Sequence, residues 1–147
     1  MRLSTRVRYG MRALVELAIA YPQGAVSLGE VARSQRVSLK YLEQIIGSLR
    51  VAGIVRSVRG LGGGYELARP PAEIRLLEVY EVLEGPCAPV PCVDAPDFCP
   101  TSPVCATRDT WGELKDAIRS VLARKTLGDL ARGKLEKAAV GPPPYHI

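Results

Sequence analysis

The sequence predicts a mainly α-helical fold that carries one small two-stranded hairpin. Apolar residues recur every three or four positions from Leu3 to Tyr21, and this period is typical of an amphipathic helix, predicted over residues 4–21. Further along the chain the apolar pattern favours strands at residues 54–58 and 65–68, on either side of a glycine-rich turn. With 147 residues, 47% of them hydrophobic, the chain is long enough to bury a core without covalent cross-links.

Two short helices are predicted between the first helix and the hairpin. Ser27 and Glu30 have the S-x-x-E spacing of a capping box, which indicates where the first of them starts. A tight turn follows at residues 35–37, and we expect Ser38 to cap the second helix, which has one apolar face. Two short helices joined by a tight turn and followed by a hairpin are typical of a winged helix-turn-helix domain, which we assign to residues 1–70.

The positive charge of the chain is concentrated in this domain. Residues 1–69 contain eleven Lys and Arg against four Asp and Glu, a net charge of +7, whereas residues 70–147 contain nine against eleven, a net charge of −2. Such an excess is typical of modules that bind polyanions, although ordinary solvated surfaces also show it. Together with the predicted fold, it indicates double-stranded DNA as a partner.

The second short helix is predicted to contact DNA bases. Its polar face is suited to this, because Gln can pair with adenine, Lys can contact guanine or phosphate, and Glu can accept from the amino group of cytosine. An arginine at the tip of the hairpin can enter the minor groove. The alternative is that this helix face and loop are simply solvated. The predicted DNA-contacting residues are Ser38, Lys40, Tyr41, Glu43, Gln44, Arg56, Arg59 and Gly60.

The second half of the chain, residues 71–132, is predicted to contain a cysteine-bearing loop between two helices. The helices are expected at residues 73–84 and 106–125, and the cysteine loop at residues 85–105. The loop contains six of the twelve prolines, which disfavour regular helix or sheet. Residues 133–147 are expected to form a flexible tail.

The cysteine loop contains all four cysteines of the chain, with the spacing C-x4-C-x6-C-x5-C. Structural zinc sites usually have closely spaced pairs separated by a longer arm, so this spacing suits them poorly. Loosely spaced thiolates on a proline-rich loop can instead surround an iron–sulfur cluster, or they can be inert or redox-reactive thiols. The spacing alone leaves these alternatives open. The four residues are Cys87, Cys92, Cys99 and Cys105.

The long helix at residues 106–125 carries an apolar stripe that is suited to pack on another helix. Trp111, Leu114, Ile118 and Val121 are three or four residues apart, as in a helix face that packs on another helix. The alternative is that the stripe packs on its own chain.

No segment is predicted to lie in a membrane. The chain contains no run of eighteen apolar residues, and Arg12 and Glu16 interrupt the stretch that could pass for a secretory signal. We therefore expect a cytoplasmic protein, in which the cysteines stay reduced.

Four segments of the sequence resemble the IscR/NsrR-type winged-helix regulators, the Rrf family. They are MRLSTRVRYGMRAL at the N-terminus, SLKYLEQII in the recognition helix, SVRGLGGGYELA in the wing, and the segment from Cys92 to Trp111. The resemblance implies a homodimeric transcription regulator in which the long helix after the cysteines, with Trp111, Leu114, Ile118 and Val121, forms the dimer interface. It often also implies an iron–sulfur cluster held by three cysteines. The matching residues here are Cys92, Cys99 and Cys105. We expect a palindromic operator, and the cluster could be of the 2Fe–2S or the 4Fe–4S type.

The fourth ligand of such a cluster stays open. Some branches of the family have a histidine three residues after the last cysteine, where this chain has Arg108. Others take a carboxylate from the first helix of the partner subunit, where this chain has Arg8. The nearby candidates are Cys87, Asp94, Asp97 and Asp109.

The favoured function is a DNA-binding transcription regulator whose DNA affinity is controlled by the cluster, in response to iron, cluster supply, nitric oxide or redox state. The alternative is a cluster-free regulator controlled by thiol oxidation, zinc or a protein partner. A thiol-disulfide enzyme is disfavoured, because the chain has no C-x-x-C motif and no histidine close to a cysteine. We therefore expect no enzymatic activity.

Overall fold

The computed structural model describes residues 2–141, which form six α-helices and one antiparallel two-stranded sheet. The predicted mainly α-helical fold with a small wing is confirmed. No helix among these residues combines the length and the hydropathy that a membrane crossing requires. The elements are α1 (Thr5–Ala20), α2 (Leu28–Gln35), α3 (Leu39–Val51), β1 (Val55–Val58), β2 (Gly64–Leu67), α4 (Leu76–Glu84), α5 (Ala106–Arg124) and α6 (Leu127–Val140).

The hydrophobic core lies between α1, α3 and α4. The apolar faces of these helices meet there, and Leu14, Ile45 and Val79 are fully buried. α3 begins as the sequence predicts, because the Ser38 hydroxyl accepts a hydrogen bond from the N–H of Tyr41 at 3.1 Å. The burial of one face and the cap together fix the rotation and the start of α3.

The prediction of a capping box at Ser27 and Glu30 is wrong, because its hydrogen bonds do not form. α2 does begin after Ser27, but the Ser27 side chain accepts no capping hydrogen bond. The preceding residue, Val26, pairs with Tyr65 of β2 through two backbone hydrogen bonds of 2.8 and 2.9 Å. This tertiary contact fixes the direction in which the chain enters α2, so the helix start does not depend on a side-chain cap.

β1 and β2 form the predicted wing, within one residue of the expected bounds. Val55 lies opposite Leu67, and Val58 lies opposite Gly64. Gly64 allows the wing to approach the start of α2, because a Cβ on this residue would lie 2.2 Å from the carbonyl oxygen of Val26. The wing is therefore attached to the helix-turn-helix rather than extending freely from it.

α4 begins three residues later than the sequence predicts. A single 3-10 turn, Pro71–Glu73, is followed by extended chain. The N–H of Leu76 donates to the carbonyl of Lys125, and the N–H of Leu127 donates to the carbonyl of Ile74, both at 3.0 Å. These tertiary hydrogen bonds hold the chain extended just before α4, so the helix cannot start earlier.

The flexible tail predicted at residues 133–147 is wrong for its first part, because α6 continues well into it. Leu127, at the start of α6, is fully buried in the main core, and Lys134 forms an ion pair with Glu16 of α1. Packing on α1 stabilises a helix whose own apolar pattern is weak. Residues 142–147 of the predicted tail lie outside the described residues.

Replacement of Leu127 by alanine should destabilise the whole protein, because its side chain fills the core that α6 shares with the N-terminal domain. We expect the free energy of unfolding to fall by about 2–5 kcal/mol in urea denaturation at fixed protein concentration. Leu135→Ala is the control, since Leu135 is 54% exposed on the same helix, and it should change this free energy by less than about 0.5 kcal/mol. Equal effects of the two substitutions would contradict the packing of α6 on the core.

Candidate nucleic-acid interface and metal centre

The outer face of α3 presents polar side chains to solvent. Lys40, Glu43 and Gln44 are exposed, whereas Leu42 and Ile45 on the opposite face are buried in the core. Because the buried face fixes the rotation of the helix, the polar face points away from the domain. The three residues predicted to contact bases are therefore accessible to a partner.

Ser38 and Tyr41, two further predicted DNA contacts, are engaged within the protein. The Ser38 hydroxyl caps α3, and the Tyr41 hydroxyl lies 3.0 Å from Oγ1 of Thr5 in α1. The Tyr41 ring also meets the ring of Tyr9 edge to face, with centroids 6.4 Å apart. Both residues therefore help to position α3, and Tyr41 fastens it to α1.

The tip of the wing carries Arg59 and Gly60, both exposed. Gly60 has a φ of 98°, which favours glycine at this turn. Arg56 lies on β1 and donates to a carboxylate oxygen of Glu66 on β2 at 2.6 Å. Since this ion pair offsets the charge of Arg56, Arg59 is the better placed of the two arginines to contact an anionic partner.

The cysteine loop consists of three short 3-10 turns and is fastened to α5 at two points. Arg108 Nε donates to the carbonyl of Cys92 at 2.8 Å, and Lys115 forms an ion pair with Asp94. The first turn of the loop thus rests on α5, the helix that follows the last cysteine. The turns are Pro91–Val93, Pro96–Phe98 and Ser102–Val104.

Cys92, Cys99 and Cys105 are half-buried on this loop. Oγ1 of Thr101 lies 3.1 Å from the Cys99 sulfur, and Oγ1 of Thr107 lies 3.2 Å from the Cys105 sulfur. A hydroxyl that donates to a thiolate stabilises its charge, so these hydrogen bonds lower the pKa of Cys99 and the pKa of Cys105 below the ordinary thiol value. The thiolate is the form of cysteine that binds metals.

Cys87 lies in a different environment. Its side chain is 3% exposed and belongs to the main hydrophobic core. Burial raises the pKa of the Cys87 thiol, and the negative charge of Glu81 raises it further. A buried thiol that stays protonated is a poor metal ligand, so Cys87 differs chemically from the other three cysteines.

The three loop thiols do not converge on a single point. Among residues 2–141, no three cysteine, histidine or acidic side chains are close enough together to hold one metal ion. An iron–sulfur cluster is larger than one ion and binds thiolates at separate irons. Thiols that are spread along a loop, two of them with hydroxyl donors, fit the donor chemistry of a cluster better than that of a single ion.

A cavity of about 270 Å³ lies beside Cys99 and is also lined by Ser102 and Arg108. Ser102 is 5% exposed, and its hydroxyl is buried with no hydrogen-bond partner in the described part of the chain. The sequence analysis did not single out Ser102. The only feature of the sequence that could have indicated it is its position midway between Cys99 and Cys105. An unpartnered polar atom inside the cysteine loop fits a loop that holds a further group.

α5 carries the predicted apolar stripe, yet none of its residues is buried. Trp111, Leu114 and Val121 are 38%, 37% and 40% exposed, whereas Ile118 is half-buried against the core of its own chain. Apolar residues of α1, α4, α5 and α6 line an open cavity of about 480 Å³ that includes Ile118 and Val121. Part of the stripe therefore packs on its own chain, and part stays available to a partner.

The chain is similar to known proteins over most of its length. It is 42% identical over 132 residues to protein rrf2 of Nitratidesulfovibrio vulgaris, a match that covers 90% of this chain and 88% of that protein. The structure of CymR, the global cysteine regulator of B. subtilis, matches with a TM-score of 0.76 and 38% identity over 90% of this chain and 97% of that one. The structure of T. potens IscR matches with a TM-score of 0.75 and 35% identity over 99% of this chain and 95% of that one.

The family described as Rrf2, iron-dependent transcriptional regulator, matches residues 3–133. The match includes the winged helix-turn-helix, the cysteine loop, α5 and the first half of α6. The resemblance that the sequence motifs indicate is thereby confirmed. The chain belongs to the Rrf2 family of transcription regulators.

Proposed function

We propose that this regulator binds double-stranded DNA as a homodimer, and that an iron–sulfur cluster held by Cys92, Cys99 and Cys105 sets its affinity for DNA. The observation that carries the proposal is the cysteine loop, which holds three accessible thiols on a segment fastened to α5. Hydroxyl donors at two of these thiols favour the ligating form. The description of the family as iron-dependent adds support.

The N-terminal domain would supply the DNA-binding surface. The exposed face of α3 carries Lys40, Glu43 and Gln44, and the wing tip carries Arg59. The net charge of +7 on residues 1–69 attracts phosphates. In a symmetric dimer two α3 helices would enter successive major grooves, so the expected operator is palindromic.

A second copy of the chain is the expected partner of α5. The exposed side chains of Trp111, Leu114 and Val121 form an apolar face that a monomer would leave in water. Packing of two α5 helices about a twofold axis would bury this face, because such an interface brings the same surface of each copy together.

A chain of contacts through α5 and α4 connects the cysteine loop with α3. Arg108 and Lys115 hold the loop on α5, and Arg119 of α5 forms an ion pair with Glu81 of α4. α4 in turn packs on both α1 and α3. A bound cluster would supply a charged group that crosslinks the loop. The cluster can change the affinity for DNA only if these helices have two arrangements that bind the cluster with different affinity.

A cluster-free regulator that responds through thiol chemistry is the second candidate. The lowered pKa of Cys99 and of Cys105, and their partial exposure, favour reaction with oxidants. Analysis of iron and acid-labile sulfide in protein purified without oxygen separates the two candidates. Protein with a cluster contains both elements and is coloured, whereas the cluster-free regulator contains neither.

Gln44→Ala should relax the base preference of the protein, because a Gln side chain can pair with one base edge. We expect a loss of about 1–3 kcal/mol of discrimination at one operator position, measured by competition between operator variants.

Arg59→Ala should instead weaken binding to all sequences, measured by fluorescence anisotropy. Arg132→Ala, which removes an exposed arginine of α6, is the control and should bind normally. Unchanged affinity and specificity in both test variants would remove Gln44 and Arg59 from the interface.

Val121→Asp should convert the dimer into a monomer, because it places a charge in a dry interface at a cost of several kcal/mol. Sedimentation at micromolar concentration measures the change. Ser120→Asp adds the same charge at the neighbouring exposed position of α5 and should stay dimeric. Val121 is a better site than Ile118, since Ile118 also packs on its own core. A Val121→Asp protein that remains a dimer would argue against this interface.

Serine substitutions at Cys92, Cys99 and Cys105 should each abolish cluster binding, because thiolates supply most of the ligation in such sites. Cys87→Ser is the comparison and should keep most of the cluster, since Cys87 lies in the hydrophobic core. Iron and sulfide content and the absorption spectrum are measured after reconstitution without oxygen. Full iron and sulfide with an unaltered spectrum in Cys99→Ser would show that the cluster assignment is wrong.

A further inference from the structure

Leu61, at the tip of the wing, is an apolar side chain that the protein itself does not cover. Its relative exposure is 108%, the highest among the large apolar residues of the described chain. The side chain therefore lies wholly in water and adds nothing to the stability of the fold. Single exposed leucines are common on protein surfaces, but this one lies on an unusually constrained backbone.

The turn that carries Leu61 is fixed by its backbone. The N–H of Gly63 donates to the carbonyl of Gly60 at 3.0 Å, which closes a four-residue turn with Leu61 at its second position. Gly62 has a φ of 73°, which favours glycine at the third position of such a turn. A Cβ at Gly63 would lie 2.4 Å from the carbonyl oxygen of Val58, so the turn also packs closely on the end of β1. The fold thus holds Leu61 at the apex of the wing.

The tip of the wing is also narrow. Leu61 has the only side chain between Arg59 and Tyr65, because the other four residues are glycines. The minor groove of B-DNA is about 6 Å wide, and glycines allow a backbone to approach a partner closely. Arg59, which is exposed two residues earlier, draws the tip towards phosphates. The first side chain to reach the floor of a minor groove would then be that of Leu61.

We propose that Leu61 enters the minor groove of the operator and excludes guanine from the base pairs that it covers. This inference rests on the proposed function, in which the wing binds DNA. The minor-groove edges of A·T and T·A carry only acceptors, whereas G·C adds the 2-amino group of guanine. This group projects from the floor of the groove, so a leucine packed there displaces its water and offers no acceptor in return. Leu61 therefore supplies base preference at the wing, whereas Arg59 supplies attraction that does not depend on sequence.

Inosine tests this contact, because it has the major-groove edge of guanine but lacks the 2-amino group. The full chain, purified without oxygen, is bound to a duplex operator that it selects from random-sequence DNA, and hydroxyl-radical protection locates the base pairs under the wing. Duplexes with G·C, I·C or A·T at those positions are then compared by competition. We expect the wild type to bind the I·C and A·T duplexes about tenfold more tightly than the G·C duplex. Leu61→Ala should lose most of this difference, and Leu61→Met should keep it.

The dependence of binding on salt separates this apolar contact from a phosphate contact. Leu61→Ala should bind the A·T duplex about tenfold more weakly than the wild type, because an apolar surface is no longer buried. The slope of log affinity against log salt concentration should stay unchanged in Leu61→Ala, whereas it should fall by about one for each wing in Arg59→Ala. Leu135→Ala removes the same side chain at an exposed position of α6 and should match the wild type. Thermal denaturation should give the same Tm for Leu61→Ala and the wild type, since Leu61 packs on nothing.

The outcomes distinguish the role of Leu61 from the function on which it rests. A wild-type protein that binds no duplex DNA refutes the proposed function. A wild-type protein that binds DNA but does not distinguish I·C from G·C under the wing refutes only the role of Leu61. An unchanged preference in Leu61→Ala, with or without a loss of affinity, does the same and leaves a protein partner as the occupant of the tip. A salt slope that falls in Leu61→Ala as it does in Arg59→Ala also overturns the apolar contact.

Discussion

The two halves of the chain meet at Gly10 of α1, and their packing depends on the absence of a side chain there. A Cβ at this residue would lie 2.4 Å from Cδ1 of Leu83 in α4 and 3.1 Å from Cγ2 of Ile45 in α3. Glycine therefore lets α4 and α3 pack against the same point of α1. Because Leu83 and Ile45 are both buried, a shift of α4 would be passed to α3 rather than absorbed by a void.

Cys87 anchors the start of the cysteine loop in the core, whereas the part of the loop from Cys92 to Cys105 is coupled to this packing by polar contacts. Arg119–Glu81 and Lys115–Asp94 are partly exposed ion pairs, and such pairs contribute about 0–1 kcal/mol each. They orient the loop and α5 without holding either rigidly. Arg108 stands where some branches of the family have a histidine ligand, and here it donates to the backbone of the loop. The part of the loop from Cys92 to Cys105 can therefore change its arrangement at low cost in free energy, which suits a regulatory segment.

Local sequence patterns were sufficient to predict the winged helix-turn-helix, the irregular cysteine loop and α5. A repeat of three or four residues, the cap at Ser38 and the glycine-rich turn each depend on neighbours in the chain. The same patterns did not predict the extent of α6 or the late start of α4. Those bounds depend on contacts with α1 and on backbone hydrogen bonds between residues about fifty positions apart, as at Leu76 and Lys125.

The sequence by itself determined the residue types of the candidate sites, namely a polar face on α3, arginines on the wing and four cysteines on one loop. Only the tertiary structure decided how those residues differ from one another. It buries Cys87 in the core, pairs Arg56 with Glu66 and leaves the Ser102 hydroxyl unpartnered within the described chain. The physical reason is that the burial of Cys87 depends on elements distant in sequence and the Arg56–Glu66 pair on the strand register of the wing, and the spacing of residue types encodes neither.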